Sequence, residues 1–255
     1  MLVCVLAVAS AVGVVVLAAV LFRRLGRGVE DPAPDGPTAG HAGSMISSLF
    51  LLVFAIAIIV PWTAADAARQ NTYAESQAAV DAYWTAGRLP APAGAQVQRQ
   101  VRDYVGFVLD KEWPLMATGR LSDEGASRMD ALRAQTAALI VQGDDAKAVK
   151  SAVVEEIRGL ASARRQREAD ARATPPSGVL PLTILTGLIV VLFPFLAGAR
   201  PRGRTLVPLV LMAAMLGFGV YLTWQITHVF DSGLAVGPEA FRTALAEFQR
   251  IPWSG

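Results

Sequence analysis

The chain has 255 residues, of which 53% are hydrophobic and 17% charged, with a formal net charge of +2 and a mean hydropathy of +0.43. That composition belongs to membrane proteins, and the near balance of 23 basic and 21 acidic side chains leaves no basic face for nucleic acid. A single cysteine, Cys4, excludes an intrachain disulfide and a Cys-based zinc site, and two histidines, His41 and His228, exclude any scheme that needs three.

In chain order, four uncharged apolar stretches stand out at residues 1–22, 46–65, 179–199 and 205–227. A bilayer core of about 30 Å is spanned by about 20 helical residues, so each stretch is long enough to cross it. The expected fold is all-α and integral to the membrane, with four transmembrane helices and a helical extramembrane domain inserted between the second and third. The segments are a first span over 1–25, a flexible linker over 26–44, a second span over 45–65, the helical domain over 66–176, a third span over 177–199, a fourth over 205–230, and a C-terminal tail over 231–255 bearing a short amphipathic helix.

The first stretch has no basic residue before it and runs into Phe22-Arg23-Arg24-Leu25-Gly26-Arg27, the pattern of an uncleaved anchor and not of a signal peptide. Arg200, Arg202 and Arg204 crowd the loop between the last two spans. By the positive-inside rule both loops stay in the cytoplasm, which puts the termini and the helical domain on the outer side of the inner (plasma) membrane. With only three lysines among its 23 basic residues and abundant Ala and Val, the chain points to a bacterium with a GC-rich genome.

The linker Val29-Glu30-Asp31-Pro32-Ala33-Pro34-Asp35-Gly36-Pro37 cannot sustain a helix or strand. From Asp66 an amphipathic helix leaves the membrane, and Leu89-Pro90-Ala91-Pro92-Ala93-Gly94 ends it. A second helix from Ala95 to Glu112 carries Val97, Val101, Tyr104, Val105, Val108 and Leu109 at helical spacing. Ser122 is the expected N-cap of a third helix, whose stripe is Met129, Leu132, Thr136, Leu139 and Ile140. A fourth, after Gly143, carries Val149, Ala152, Val153, Ile157 and Leu160 and ends in a solvated charged run from Ala161 to Arg172. Residues 66–172 hold 15 acids and 15 bases, so this segment is neutral. In the tail, Pro238-Glu239 opens a short helix whose apolar face is Phe241, Leu245 and Phe248, expected to dock on the helical domain or on a neighbouring subunit.

These features together resemble the bacterial bestrophin-like membrane family. The resemblance is carried by the pair–domain–pair order of spans, Ala74-Glu75-Ser76-Gln77-Ala78-Ala79, Leu89-Pro90, and the segment from Tyr104 to Trp113-Pro114-Leu115-Met116. The tail adds Phe230-Asp231-Ser232-Gly233 and Val236-Gly237-Pro238-Glu239-Ala240-Phe241. It implies kinship with bestrophins, pentameric anion channels whose second transmembrane helix lines the pore. Bestrophins keep their termini and large helical region in the cytosol, whereas the arginine loops here place them outside.

If the second span lines a pore, Phe50, Phe54 and Ile58 at i, i+4 and i+8 form an apolar constriction able to gate by dewetting. Arg200, Arg202 and Arg204 would draw anions to the inner mouth, although membrane topology alone explains them too. Trp224, Gln225, Thr227, His228 and the nearby Asp231 read as an interfacial cluster or a pH sensor. The small pairs Ala9/Gly13 and Ala213/Gly217 permit close helix contact. The span centres lack the charges that proton-coupled carriers retain, and no nucleophile, phosphate-loop or metal motif is present. The expectation is a homo-oligomeric passive anion channel without cofactor or catalysis, its partners being the lipid bilayer and anions. The alternative is a membrane-anchored scaffold presenting an extracytoplasmic helical domain to an envelope protein partner, through an exposed aromatic patch involving Tyr104 or Trp113.

Overall fold

The structure, a computed structural model, describes residues 2–25, 37–173, 178–196, 206–226, 229–230 and 236–251. Every regular element among them is helical. In chain order these are α1 (Leu2–Leu25), α2 (Pro37–Ala86), α3 (Ala93–Phe107), a π-helical turn (Val108–Glu112), α4 (Trp113–Met116), α5 (Asp123–Ala138), α6 (Asp144–Arg172), α7 (Val179–Leu196), α8 (Leu206–Ile226) and α9 (Glu239–Phe248). Three of them are long and apolar enough to cross a bilayer, through Cys4–Leu21, Gly43–Ala86 and Leu206–Gln225, and Leu180–Leu196 is a shorter apolar helix.

Two compact units divide the chain: Met1–Thr63 with Thr174–Thr227, and Ala64–Ala173 with His228–Gly255. In the first, α1 packs along α8. A Cβ on Gly217 would stand 2.9 Å from the Ala7 carbonyl oxygen and 3.1 Å from the Ala11 Cβ, so the missing side chain is what lets these backbones approach. Ala213 and Gly217 thus serve close packing as their spacing predicts, but Ala9 and Gly13 do not. Both of these are exposed, with nothing within 4 Å of where a Gly13 Cβ would lie, and α1 turns Val15, Ala18 and Ala19 inward instead.

The helix α2 begins at Pro37, earlier than the expected linker boundary. Proline tolerates a first helical position, where its missing N–H is not needed and its φ is already helical. Pro61 lies inside α2 without ending it.

The second unit is built on the predicted periodicities. Val97, Val101, Tyr104, Val105 and Val108 form one buried wall, met by Ala79, Ala82 and Tyr83 from α2 and by Val153, Ile157 and Leu160 from α6. Ser122 caps α5 by accepting a hydrogen bond from the Glu124 N–H at 3.1 Å. At Gly143, φ is +89°, a conformation costly for other residues, and this turn separates α5 from α6. Two expected helix ends in this unit fail. The helix α5 stops at Ala138, so Ile140 lies beyond it and is 92% exposed. The second domain helix does not end at Glu112 but continues through the π turn to Met116. The reason is Pro114: in an α-helix its ring would crowd the Asp110 carbonyl four residues back and offer it no N–H, and the wider turn relieves the crowding.

The tail helix α9 docks on this same unit. Phe241, Ala244 and Phe248 are buried, Phe248 stacks on Tyr83 with ring centroids 4.3 Å apart, and the Ser76 hydroxyl donates to the Ala240 carbonyl at 2.9 Å.

Candidate functional site

On α2, Phe50, Phe54 and Ile58 share one half-buried face around the buried Ala57. Phe50 and Phe54 stack with centroids 5.5 Å apart. The Phe54 ring rests where α8 has no side chain, since a Cβ on Gly219 would fall 2.4 Å from it. The opposite face of α2, including Leu52 and Ile56, is exposed at 59% and 47%. A crevice of about 200 Å³ between α1, α7 and α8 is lined by Ala7, Ser10, Ala11, Val14, Leu188 and Gly217 among others, with no charged group. Among its lining residues the Ser10 hydroxyl is the polar side-chain group that could face an ion. Arg200, Arg202 and Arg204, and also His228 and Asp231, lie outside the described residues.

The densest polar chemistry is in the second unit and was not expected. The segment Ala161–Arg172 is a solvated helix end on one face only: Arg165 and Arg172 are exposed, but Arg164 and Arg167 are 4% and 0% exposed. Arg167 donates from Nε and Nη2 to the two Glu75 oxygens at 2.6 and 3.1 Å, and from Nη2 to Glu112 Oε2 at 2.8 Å. Its Nη1 meets Met116 Sδ at 3.1 Å, and the guanidinium lies 5.5 Å from the centre of the Phe241 ring. Arg164 pairs with the other Glu112 oxygen and with the Ser122 carbonyl, while its Nε is buried with no hydrogen-bond partner. The Tyr104 hydroxyl donates to Glu75 Oε1 at 2.7 Å. Two carboxylates and two guanidiniums, all buried, therefore balance to zero charge.

The local folding that assembles this quartet is specific. Each member continues an apolar stripe: Glu75 precedes Ala79 and Ala82 on α2, Glu112 follows Val108, and Arg164 and Arg167 follow Val153, Ile157 and Leu160 at helical spacing. Charges in the phase of a core stripe were the available signal. Their pairing was not legible, because it joins residues 92 and 55 positions apart. Gly125 makes room, for a Cβ there would fall 1.9 Å from Glu112 Oε1.

Burial, and then the adjoining Glu75 carboxylate, hold the Tyr104 phenol well above its ordinary pKa. For Arg167 burial works in the lowering direction, but Glu75 first, with Tyr104 and Glu112, outweighs it and the guanidinium is held more firmly protonated than usual. With every Glu75 and Glu112 oxygen accepting from an arginine or from Tyr104, the quartet offers no free carboxylate to a substrate or metal. Tyr104 and Trp113, expected on an exposed aromatic patch, are buried and half-buried, with Trp113 edge-on to Phe230 and Phe241.

The family model of the bestrophin-like domain matches residues 8–241, which takes in all of these elements but the start of α1 and most of α9. The chain belongs to the bestrophin-like family. No significant match to this bestrophin-like chain occurs among curated proteins or solved structures. Of the residues that carry the sequence resemblance, Glu75 and Tyr104 meet in the second unit through the hydrogen bond from the Tyr104 hydroxyl.

Proposed function

We propose that this bestrophin-like chain is one subunit of a homo-oligomeric membrane channel that passes anions passively. In this reading α1, α2, α7 and α8 are the four spans, α2 lines a central pore between subunits, and the second unit lies on the outer side of the inner membrane. The family match over residues 8–241 is the observation that carries it. It is supported by apolar helices of spanning length. The half-buried rings of Phe50 and Phe54 with Ile58 form the neck, and Arg200, Arg202 and Arg204 attract anions to the inner mouth.

Chloride flux into liposomes holding the full-length protein tests this. Phe54→Ala removes the ring beside Gly219 and widens the neck, so flux should rise several-fold while Leu52→Ala and Ile56→Ala on the opposite face leave it unchanged. If the opposite-face variants alter flux and Phe54→Ala does not, that face lines the pore and the neck is wrong. A sealed monomer or dimer without flux would favour the membrane-anchored scaffold, for which Tyr73 and Trp84, each 55% exposed on α2, are the candidate contact residues.

A further inference from the structure

We propose that the crevice between α1, α7 and α8 is a binding site for one acyl chain of a membrane phospholipid, which enters from the leaflet at the α1 N-terminus and completes the packing of these three helices. This rests on the membrane-spanning part of the reading above and not on conduction.

The crevice follows from where the three helices touch. Gly217 lets α8 lie against α1 at Ala7 and Ala11. Gly187 lets α7 lie against α8 in the same way, for a Cβ there would stand 2.7 Å from Leu216 Cδ1. With α8 drawn close to both, α1 and α7 are two walls over one floor. The walls close on each other at the buried cluster of Val15, Ala18, Ala19, Val191 and Phe195. On the N-terminal side of that cluster α1 presents the short side chains of Ala7, Ser10 and Val14, and a space of about 200 Å³ is left with a blind inner end.

Depth identifies the occupant. Counted at about 1.5 Å per residue from Cys4, where the apolar stretch begins, the lining runs from about 5 Å at Ala7 to about 15 Å at Val14. A hydrocarbon core is about 30 Å thick, so the crevice starts beneath the headgroups and stops near the bilayer centre, as the chains of one leaflet do. The other walls agree: Ile184 on α7 and Val220 on α8 lie at the open end, Val191 and Leu216 at the blind one. A neighbouring copy's helix would need a groove about 10–12 Å wide along the whole span. Water does not suit the space either, since Ser10 supplies the sole side-chain hydroxyl among the described lining residues and a buried water needs about two to four polar partners. Left empty, the crevice would cost its lining the dispersion contacts that a chain restores.

The test uses full-length protein in phosphatidylcholine liposomes doped with either of two phosphatidylcholine probes, one carrying a photoreactive diazirine near the ester and one near the methyl end of the chain. Adducts are mapped by peptide mass spectrometry. The ester-end probe should mark Ala7, Ile184 and Val220, and the methyl-end probe Val14, Val191 and Leu216. Ser10→Leu, which fills the crevice from an exposed position, should cut both sets of adducts at least threefold, whereas Leu17→Phe, exposed on α1 outside the crevice, leaves them unchanged. Adducts that do not depend on probe depth, or that survive Ser10→Leu, would overturn the proposal. Should Ser10→Leu not fold, Val14→Phe must give the same loss, and its failure to do so also overturns it. An intermolecular disulfide from Ser10→Cys in a Cys4→Ser background would place a second copy in the crevice and overturn it as well. Release of the protein from liposomes by alkaline carbonate would sink the spanning reading together with the site. Depth-matched adducts in a protein that passes no chloride would leave the site standing and the channel reading lost.

Discussion

Tyr104 stands between the apolar wall of the second unit and its buried charges. Its ring belongs to the α3 stripe that periodicity predicts, and its hydroxyl is spent on Glu75 at 2.7 Å. A hydrogen bond to a charged acceptor is worth about 1.5–3 kcal/mol, so Tyr104→Phe should destabilise the protein by that order at neutral pH, measured by thermal unfolding in detergent. Because the folded protein holds the phenol above its unfolded value of about 10, the neutral hydroxyl's contribution is complete below that pH. It is lost as pH rises beyond 10 towards the raised folded value. The stability gap between wild type and Tyr104→Phe should therefore narrow above pH 10, and a gap constant to higher pH would contradict this account. Sequence reading recovered the apolar half of this residue's role and not the polar half, because its partner comes from α2, 29 positions earlier.

At the level of elements, hydrophobic spacing was a sound guide wherever one face of a helix meets one core. The stripe of α3, that of α6 except for the exposed Ala152, the Ser122 cap and the aromatic face of α9 followed from local sequence. Three boundaries did not. The α2 start at Pro37, the π turn before Pro114 and the early end of α5 depend on how proline and the last helical turn are accommodated, which periodicity does not encode. The tail helix supplies a test of docking. Phe248 is 1% exposed and stacked on Tyr83, and losing a buried Phe side chain costs about 3–5 kcal/mol. Phe248→Ala should lower the unfolding midpoint accordingly, and a midpoint within a degree of wild type would mean that α9 contributes nothing to this core.

For the molecule as a whole, the side of the membrane on which the second unit lies is the point where the arginine loops and the bestrophin pattern disagree. Ser127 is exposed on α5 and suits labelling. A Ser127→Cys variant in a Cys4→Ser background should react with an impermeant thiol reagent added to intact cells, as the positive-inside reading requires. Reaction only after the membrane is opened would put the unit in the cytosol, as in bestrophins. What the sequence by itself determined was the class of the chain, its apolar helices and the inward face of most domain helices, since length, hydropathy and period act locally along one segment. Only the tertiary structure decided that Glu75, Glu112, Arg164 and Arg167 neutralise one another in the interior, and that Phe54 rests on Gly219. Such pairings join distant segments, and no charge can be read as buried until the partner that makes its burial tolerable has been brought beside it.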